Sequence, residues 1–148
     1  MTQLGLQSIQ GDKLQEEWVS GARTYLGTSV SGYPNMFHIY GAHGPTLLSN
    51  GPSTVEVQGR WIVDLLDKMR RNDIKYVNPK REASEEWKKH VVELNNRSLF
   101  PTTRSTYMGG SIPGKPVEPV CYSGGIPAYK AEIRKALDSM DGFEIVSF

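Results

Sequence analysis

The sequence predicts an α/β fold made of short strands, three main helices and a long Pro/Gly-rich loop. Three observations carry that reading. Apolar residues recur at helical spacing in three segments. Two short β-rich runs flank Ser31-Gly32-Tyr33-Pro34-Asn35. Residues 98–125 show no period and are rich in Pro and Gly. At 148 residues the chain is expected to be a single domain, 1–148, able to bury a core.

The first twenty or so residues are polar apart from a short helical candidate, Asp12 to Trp18, where Leu14 and Trp18 share a face at i,i+4. Tyr25 to Val30 and Met36 to Tyr40 read as strands. Gly41 to Pro52 is a loop punctuated by Gly and Pro. The first main helix is expected from Ser53, which forms a capping-box pattern with Glu56. Val55, Ile62, Leu65, Leu66 and Met69 give it an apolar stripe, and Arg70-Arg71 suit its negative end. Ile74 to Val77 reads as a strand stopped by Pro79. The second helix, about Ser84 to Asn95, sets Trp87, Val91 and Leu94 on one face and Glu85, Glu86, Lys88 and Lys89 on the other. Pro127 opens the last helix, striped by Tyr129, Ile133, Leu137 and Met140 and ended by Asp141-Gly142. Met36 to Tyr40 is apolar on both sides, like a strand buried inside a larger sheet. Its neighbours are expected from sequence outside this chain.

Composition narrows the function classes. Lys plus Arg total 17 against 16 for Asp plus Glu, a net charge of +1, so no nucleic-acid or anionic-membrane partner is expected. No apolar run approaches the roughly 20 residues that span a bilayer. The start, Met1-Thr-Gln-Leu-Gly-Leu-Gln, lacks the basic end and apolar core of a secretion signal, so a cytoplasmic location is expected. The single Cys121 cannot form an internal disulfide.

The chemical motifs are sparse. No Gly-x-Gly-x-x-Gly occurs, so the usual cradle for a dinucleotide pyrophosphate is missing. Gly109-Gly-Ser-Ile-Pro-Gly-Lys115-Pro116 approximates a P-loop, but Pro116 stands where a Ser or Thr would hold magnesium. His38, His43 and Cys121 do not make a metal set. Ser49 and Cys121 lack a nucleophile elbow or a His–Asp pattern. Trp18, Trp61 and Trp87 read as core anchors, His38 as packed against the sheet and His90 as solvated. His43, between Gly41 and Gly44, is a candidate proton donor or acceptor.

Five pieces stand in a recognisable order: Tyr33-Pro-Asn-Met-Phe-His-Ile-Tyr-Gly, Leu48-Ser-Asn-Gly-Pro, Leu99-Phe-Pro, Tyr107-Met-Gly-Gly-Ser-Ile-Pro-Gly-Lys-Pro and Gly124-Gly-Ile-Pro-Ala-Tyr. Over residues 4 to 143 the chain resembles the C-terminal portion of Baeyer–Villiger-type flavin monooxygenases. The fold implied is therefore an incomplete C-terminal part of a flavin monooxygenase. The resemblance implies that Tyr40 to Pro45 pass near the flavin ring and that the helix from Ser53 points its N-terminus at it. It implies a ketone pocket lined by Thr46, Leu47, Leu48, Ser49, Asn50 and Met108, covered by the loop from Tyr107 to Pro116. A complete member would turn a ketone into an ester or lactone with FAD, NADPH and dioxygen. The chain departs from the pattern at Ala42-His43, at Thr106 in place of a Trp, and at Ser111 in place of an Asn. The family's catalytic arginine has no counterpart here.

Three functions are compatible with these residues. The chain is a truncated or partner-dependent monooxygenase, needing FAD and NADPH held by a complementary N-terminal half and holding no cofactor alone. Alternatively, it reuses the ketone pocket for redox-free cyclisation or isomerisation of a carbonyl compound, with His43 and Tyr107 as catalytic residues. Or it is a non-catalytic interaction domain, paired as a homodimer over its orphan sheet edge.

Overall fold

The computed structural model describes residues 1–148 apart from Leu48, Ile112 and Lys115. Its elements run α1 (Leu14–Glu17), α2 (Gly51–Arg71), β1 (Ile74–Pro79), α3 (Arg81–Asn95), α4 (Ile126–Ser139) and β2 (Phe143–Ser147), with four short 3₁₀ turns. The three main helices fall where the apolar stripes put them. No helix among the described residues is long and apolar enough to cross a membrane.

α2 begins two residues before Ser53. Asn50, not Ser53, is the cap: its side chain accepts a hydrogen bond from the Ser53 amide at 2.8 Å. The buried face also differs from the predicted stripe. It consists of Thr54, Gln58, Trp61, Leu65 and Met69, while Val55 and Leu66 are 44% and 47% exposed. Two of those inward positions are polar, so hydropathy alone points to a neighbouring face. The Thr54 and Gln58 side chains are satisfied by hydrogen bonds within the fold, which makes their burial affordable.

α2 crosses α4, and specific bonds tie the two. Trp61 Nε1 donates to the Ile133 carbonyl at 2.7 Å. Lys68 Nζ donates to the Leu137 and Asp138 carbonyls at 2.6 and 2.9 Å, setting a cation on the negative end of α4. Met140 ends α4 in the left-handed conformation, with φ 60°. The main core joins Trp61, Leu65 and Met69 of α2, Trp87 and Val91 of α3, Tyr129, Ile133 and Leu137 of α4, and Phe143. A smaller cluster of Leu14, Trp18, Val30 and Tyr33 lies beside it.

The strands are where sequence and structure part. Tyr25 to Val30 is not a strand. The Thr28 and Ser29 amides both donate to the Tyr25 carbonyl, and Leu26 and Gly27 are left-handed at φ 56° and 64°. Two successive left-handed residues close a turn and cannot continue an extended chain. Met36 to Tyr40 is not a strand either; it makes one isolated bridge, Ser29 to Phe37. Its Ile39 and Tyr40 are 42% and 50% exposed within these 148 residues. The sheet instead joins β1 to β2 in antiparallel register, with Val77 opposite Ile145 and Pro79 opposite Phe143. β2 has no counterpart among the predicted elements. Its pattern is one buried residue followed by four exposed ones, so it shows no alternation. Phe143 anchors it, edge-on to Tyr25 at 5.1 Å and stacked on Trp61 at 6.4 Å.

Trp61→Phe keeps most of the buried ring but removes the indole donor to the Ile133 carbonyl, which keeps its place in the α4 ladder. It should lower unfolding stability by about 0.5–1.5 kcal/mol in urea titration, the net worth of one hydrogen bond. An unchanged midpoint would show that this bond contributes nothing to holding α2 on α4.

Candidate functional site

Gln58 organises the site from beneath. It is fully buried on α2. Its Nε2 donates to the Tyr129 hydroxyl at 2.9 Å and the Gly27 carbonyl at 3.3 Å, and its Oε1 accepts from the Tyr40 amide at 2.8 Å. Tyr129 in turn donates to the Leu26 carbonyl at 2.6 Å. One amide thus fixes the 25–29 turn and the start of the 40–50 loop to α2 and α4. Gly44 passes so close that a Cβ there would sit 2.9 Å from Gln58 Nε2, so the crossing requires glycine.

The 40–50 loop then runs beside the segment after residue 116. The His43 amide donates to the Val120 carbonyl at 2.8 Å and the Tyr122 amide to Gly44 at 2.9 Å. The Glu118 and Val120 amides donate to the Met108 and Tyr107 carbonyls, both at 3.0 Å. These bonds pin the long aperiodic stretch without making it a strand. Between the two loops lies a cavity of about 560 Å³. Its wall includes Trp18, Tyr40, Thr46, Tyr107, Glu118 and Cys121. Thr46 Oγ1 lies 2.7 Å from Cys121 Sγ and donates to it. Burial pushes the Cys121 thiol above its ordinary pKa, so it is not primed as a thiolate nucleophile.

Of the candidate catalytic and pocket residues, Thr46 and Tyr107 share this cavity, and Tyr40, Gly41 and Ala42 of the expected flavin-side segment also line it. Tyr107 is 43% exposed and sits edge-on to Phe100 at 5.9 Å. Leu47 is half-buried outside the cavity wall, and Met108 is buried beneath the covering loop. Ser49 bonds to the Pro45 carbonyl and to the Thr54 hydroxyl, and Asn50 caps α2, so both are occupied in starting that helix. Leu48 lies outside the described residues.

His43 is fully buried behind the cavity wall. Its Nδ1 lies 3.2 Å from Thr24 Oγ1, which also donates to the Ala42 carbonyl at 3.2 Å. A hydroxyl has one proton, so Thr24 accepts from Nδ1–H and the bare nitrogen is Nε2. Nε2 has no partner among the described residues. Burial, helped by the positive charge of Lys88, pulls the imidazole down to about 3. His38, whose ring lies against Gly41, is pulled down to about 4, chiefly by burial. His90 is not simply solvated: it packs on Trp87 at 5.6 Å and shares the Glu132 carboxylate with Tyr122.

Sequence reasoning missed Glu118 and Cys121 as parts of the wall and Lys88 as the partner of Glu118. Glu118 and Cys121 sit in a stretch with no period, and nothing local marks them. Lys88 belongs to the face assigned to solvent, yet its side chain is only 18% exposed and its Nζ lies 2.6 Å from Glu118 Oε2.

With fold and cavity in view, the chain can be set beside known proteins. It is 56% identical over 146 residues to the FAD-binding monooxygenase acrE of Aspergillus aculeatus, covering 99% of this chain and 25% of that protein. It is 34% identical to cyclopentanone 1,2-monooxygenase of Comamonas sp., covering 99% and 27%. A closed crystal structure of cyclohexanone monooxygenase superposes with a TM-score of 0.92 at 31% identity, over 99% of this chain and 28% of that one. The cyclohexanone monooxygenase of Rhodococcus sp. Phi1 bound to NADP+ gives 0.90 at 31%, over 96% and 27%. No protein-family profile matches. The chain is a homologue of the FAD-binding, Baeyer–Villiger-type monooxygenases. It corresponds to their C-terminal portion and spans about a quarter of the length of these relatives.

FAD can be tested against the residues present. Its pyrophosphate needs backbone N–H groups at a glycine turn, and no such fingerprint stands in these 148 residues. The first turn of α2 is closed by its own Asn50 side chain. These residues do not supply that phosphate cradle.

The buried imidazoles give the fold a pH dependence with a definite sign. An unfolded His43 takes a proton near 6.5, while the folded one resists until about 3. In that window the unfolded state binds more protons, so stability rises with pH. It is complete above 6.5 and is lost on acidification, by up to about 1.4 kcal/mol per pH unit from His43. His38 adds in the same direction. Urea midpoints measured from pH 7 to pH 4 should fall steadily, and His43→Gln should flatten the slope. A pH-independent midpoint would contradict the burial of neutral rings.

Proposed function

We propose that this chain forms the ketone-side wall and covering loop of a Baeyer–Villiger-type monooxygenase. Its flavin and nicotinamide would be held by dinucleotide-binding segments outside these 148 residues, joined in the same polypeptide or carried by a partner. The observation that carries the reading is the cavity between the 40–50 loop and the 106–121 stretch, in a fold that superposes at 0.92 on cyclohexanone monooxygenase. Three of the relatives are named for cyclopentanone, cyclohexanone and acetone, which favours a small-molecule carbonyl compound as substrate. FAD supplies the oxygen-activating chemistry in such an enzyme. This chain's part is to bind and orient the ketone and to shield it from water, through Thr46, Tyr107 and the apolar lining.

The buried His43 assists that role by holding the wall rigid rather than by moving protons. Its only free nitrogen faces the interior, and its ring is neutral at physiological pH. General acid–base work needs a group within hydrogen-bond reach of the reacting atoms.

The 148-residue chain alone should purify colourless, with no flavin absorbance, and should not oxidise NADPH in the presence of ketones. Supplying the unmatched portion of the Aspergillus aculeatus relative, in trans or fused ahead of this chain, should give NADPH-dependent conversion of a ketone to an ester. Stoichiometric flavin on the isolated chain, or a fused protein that binds FAD yet leaves every ketone untouched, would overturn the reading.

A further inference from the structure

The cavity wall carries a charge that the oxygenation of a simple ketone does not require. Among its described lining residues Glu118 is the one carboxylate. It is held in place on two sides. Oε2 pairs with Lys88 Nζ at 2.6 Å, with the side chains only 17% and 18% exposed. Oε1 is turned against Gly21, itself part of the cavity wall. A Cβ at Gly21 would lie 2.0 Å from Oε1, and Gly21 sits at φ 108°, a conformation that favours glycine. The backbone is thus shaped to seat this carboxylate. The Glu118 amide is anchored as well, to the Met108 carbonyl at 3.0 Å.

Lys88 pairs with Glu118, and the nearby His43 is neutral. A ligand group that meets Glu118 meets an acceptor. A hydroxyl donor gains a charge-assisted hydrogen bond in a partly desolvated site, the stronger kind of polar contact. The Thr46 hydroxyl donates its proton to Cys121 and can receive a ligand hydroxyl only as a neutral acceptor, the weaker kind of contact.

We propose that Glu118, held by Lys88 and seated against Gly21, is a specificity-determining acceptor, and that the cavity selects carbonyl compounds bearing a hydroxyl group remote from the carbonyl. This rests on the ketone-pocket reading above. A cavity of about 560 Å³ leaves room for a fused-ring ketone with such a substituent.

The test is calorimetric titration of the fused, flavin-loaded protein described above with 1-tetralone, its ring-hydroxylated derivatives and their methyl ethers. At least one hydroxy derivative should bind about tenfold tighter than its methyl ether, the factor expected for a charge-assisted bond. Glu118→Gln should abolish that preference, so that the hydroxy derivative and its methyl ether bind alike. Circular dichroism checks that the variant folds; should it not, Glu118→Asp, which withdraws the carboxylate by one methylene, takes its place. The hydroxyl-against-ether comparison needs no variant. Binding of 1-tetralone with no hydroxyl preference, or a preference that survives both substitutions, would overturn the inference and leave the ketone pocket standing. Failure of every ketone to bind would overturn the pocket reading and this inference with it.

Discussion

The buried side-chain amide of Gln58 is the constraint on which the rest of the structure depends. Three of its bonds and one more from Tyr129 join four pieces of chain: the 25–29 turn, the 40–50 loop, α2 and α4. A polar group at zero exposure is tolerable only when satisfied, and here every bond it makes also sets a geometry. The left-handed residues Leu26 and Gly27 and the close pass of Gly44 are positioned around it. A hydrophobic residue of similar volume would fill the space but would leave the Tyr40 amide and the Gly27 carbonyl without this partner.

From that hub the cavity follows. The 40–50 loop offers its backbone to the segment around Val120 and Tyr122, and that segment offers its own to Tyr107 and Met108. Three layers of irregular chain are held edge to edge by a few main-chain bonds. Irregular backbone of this kind is a weak store of stability, but it allows side chains of different character to meet at one surface. Thr46, Tyr107 and the Glu118–Cys121 stretch come from three places in the sequence and meet there. Behind them lie the Lys88–Glu118 pair and the neutral His43, so the wall carries polar and charged groups on a rigid backing. Burying an ion pair is a weak way to add stability, which makes its place beside a cavity the more informative feature.

The sequence by itself determined the helices and the kinship. Helical periodicity located α2, α3 and α4, because each must hide one face and the i,i+3/i+4 spacing is visible locally. The ordered motifs from Tyr33 to Tyr129 identified the relatives. What the sequence could not reveal depends on residues that meet from afar. The inward face of α2 includes Thr54 and Gln58, polar side chains whose burial makes sense only with their partners in view. β2 exists because β1 offers it a ladder and Trp61 and Tyr25 seat Phe143, not because its own pattern alternates. Tyr25–Val30 has strand-like composition and is a turn, because hydrogen bonds to Gln58 and Tyr129 stabilise its left-handed residues. Glu118 and Lys88, thirty residues apart, read as surface charges until the fold brings them within 2.6 Å. Local propensity can show which face is apolar; only the tertiary structure decides which polar groups find a partner and are thereby allowed inside.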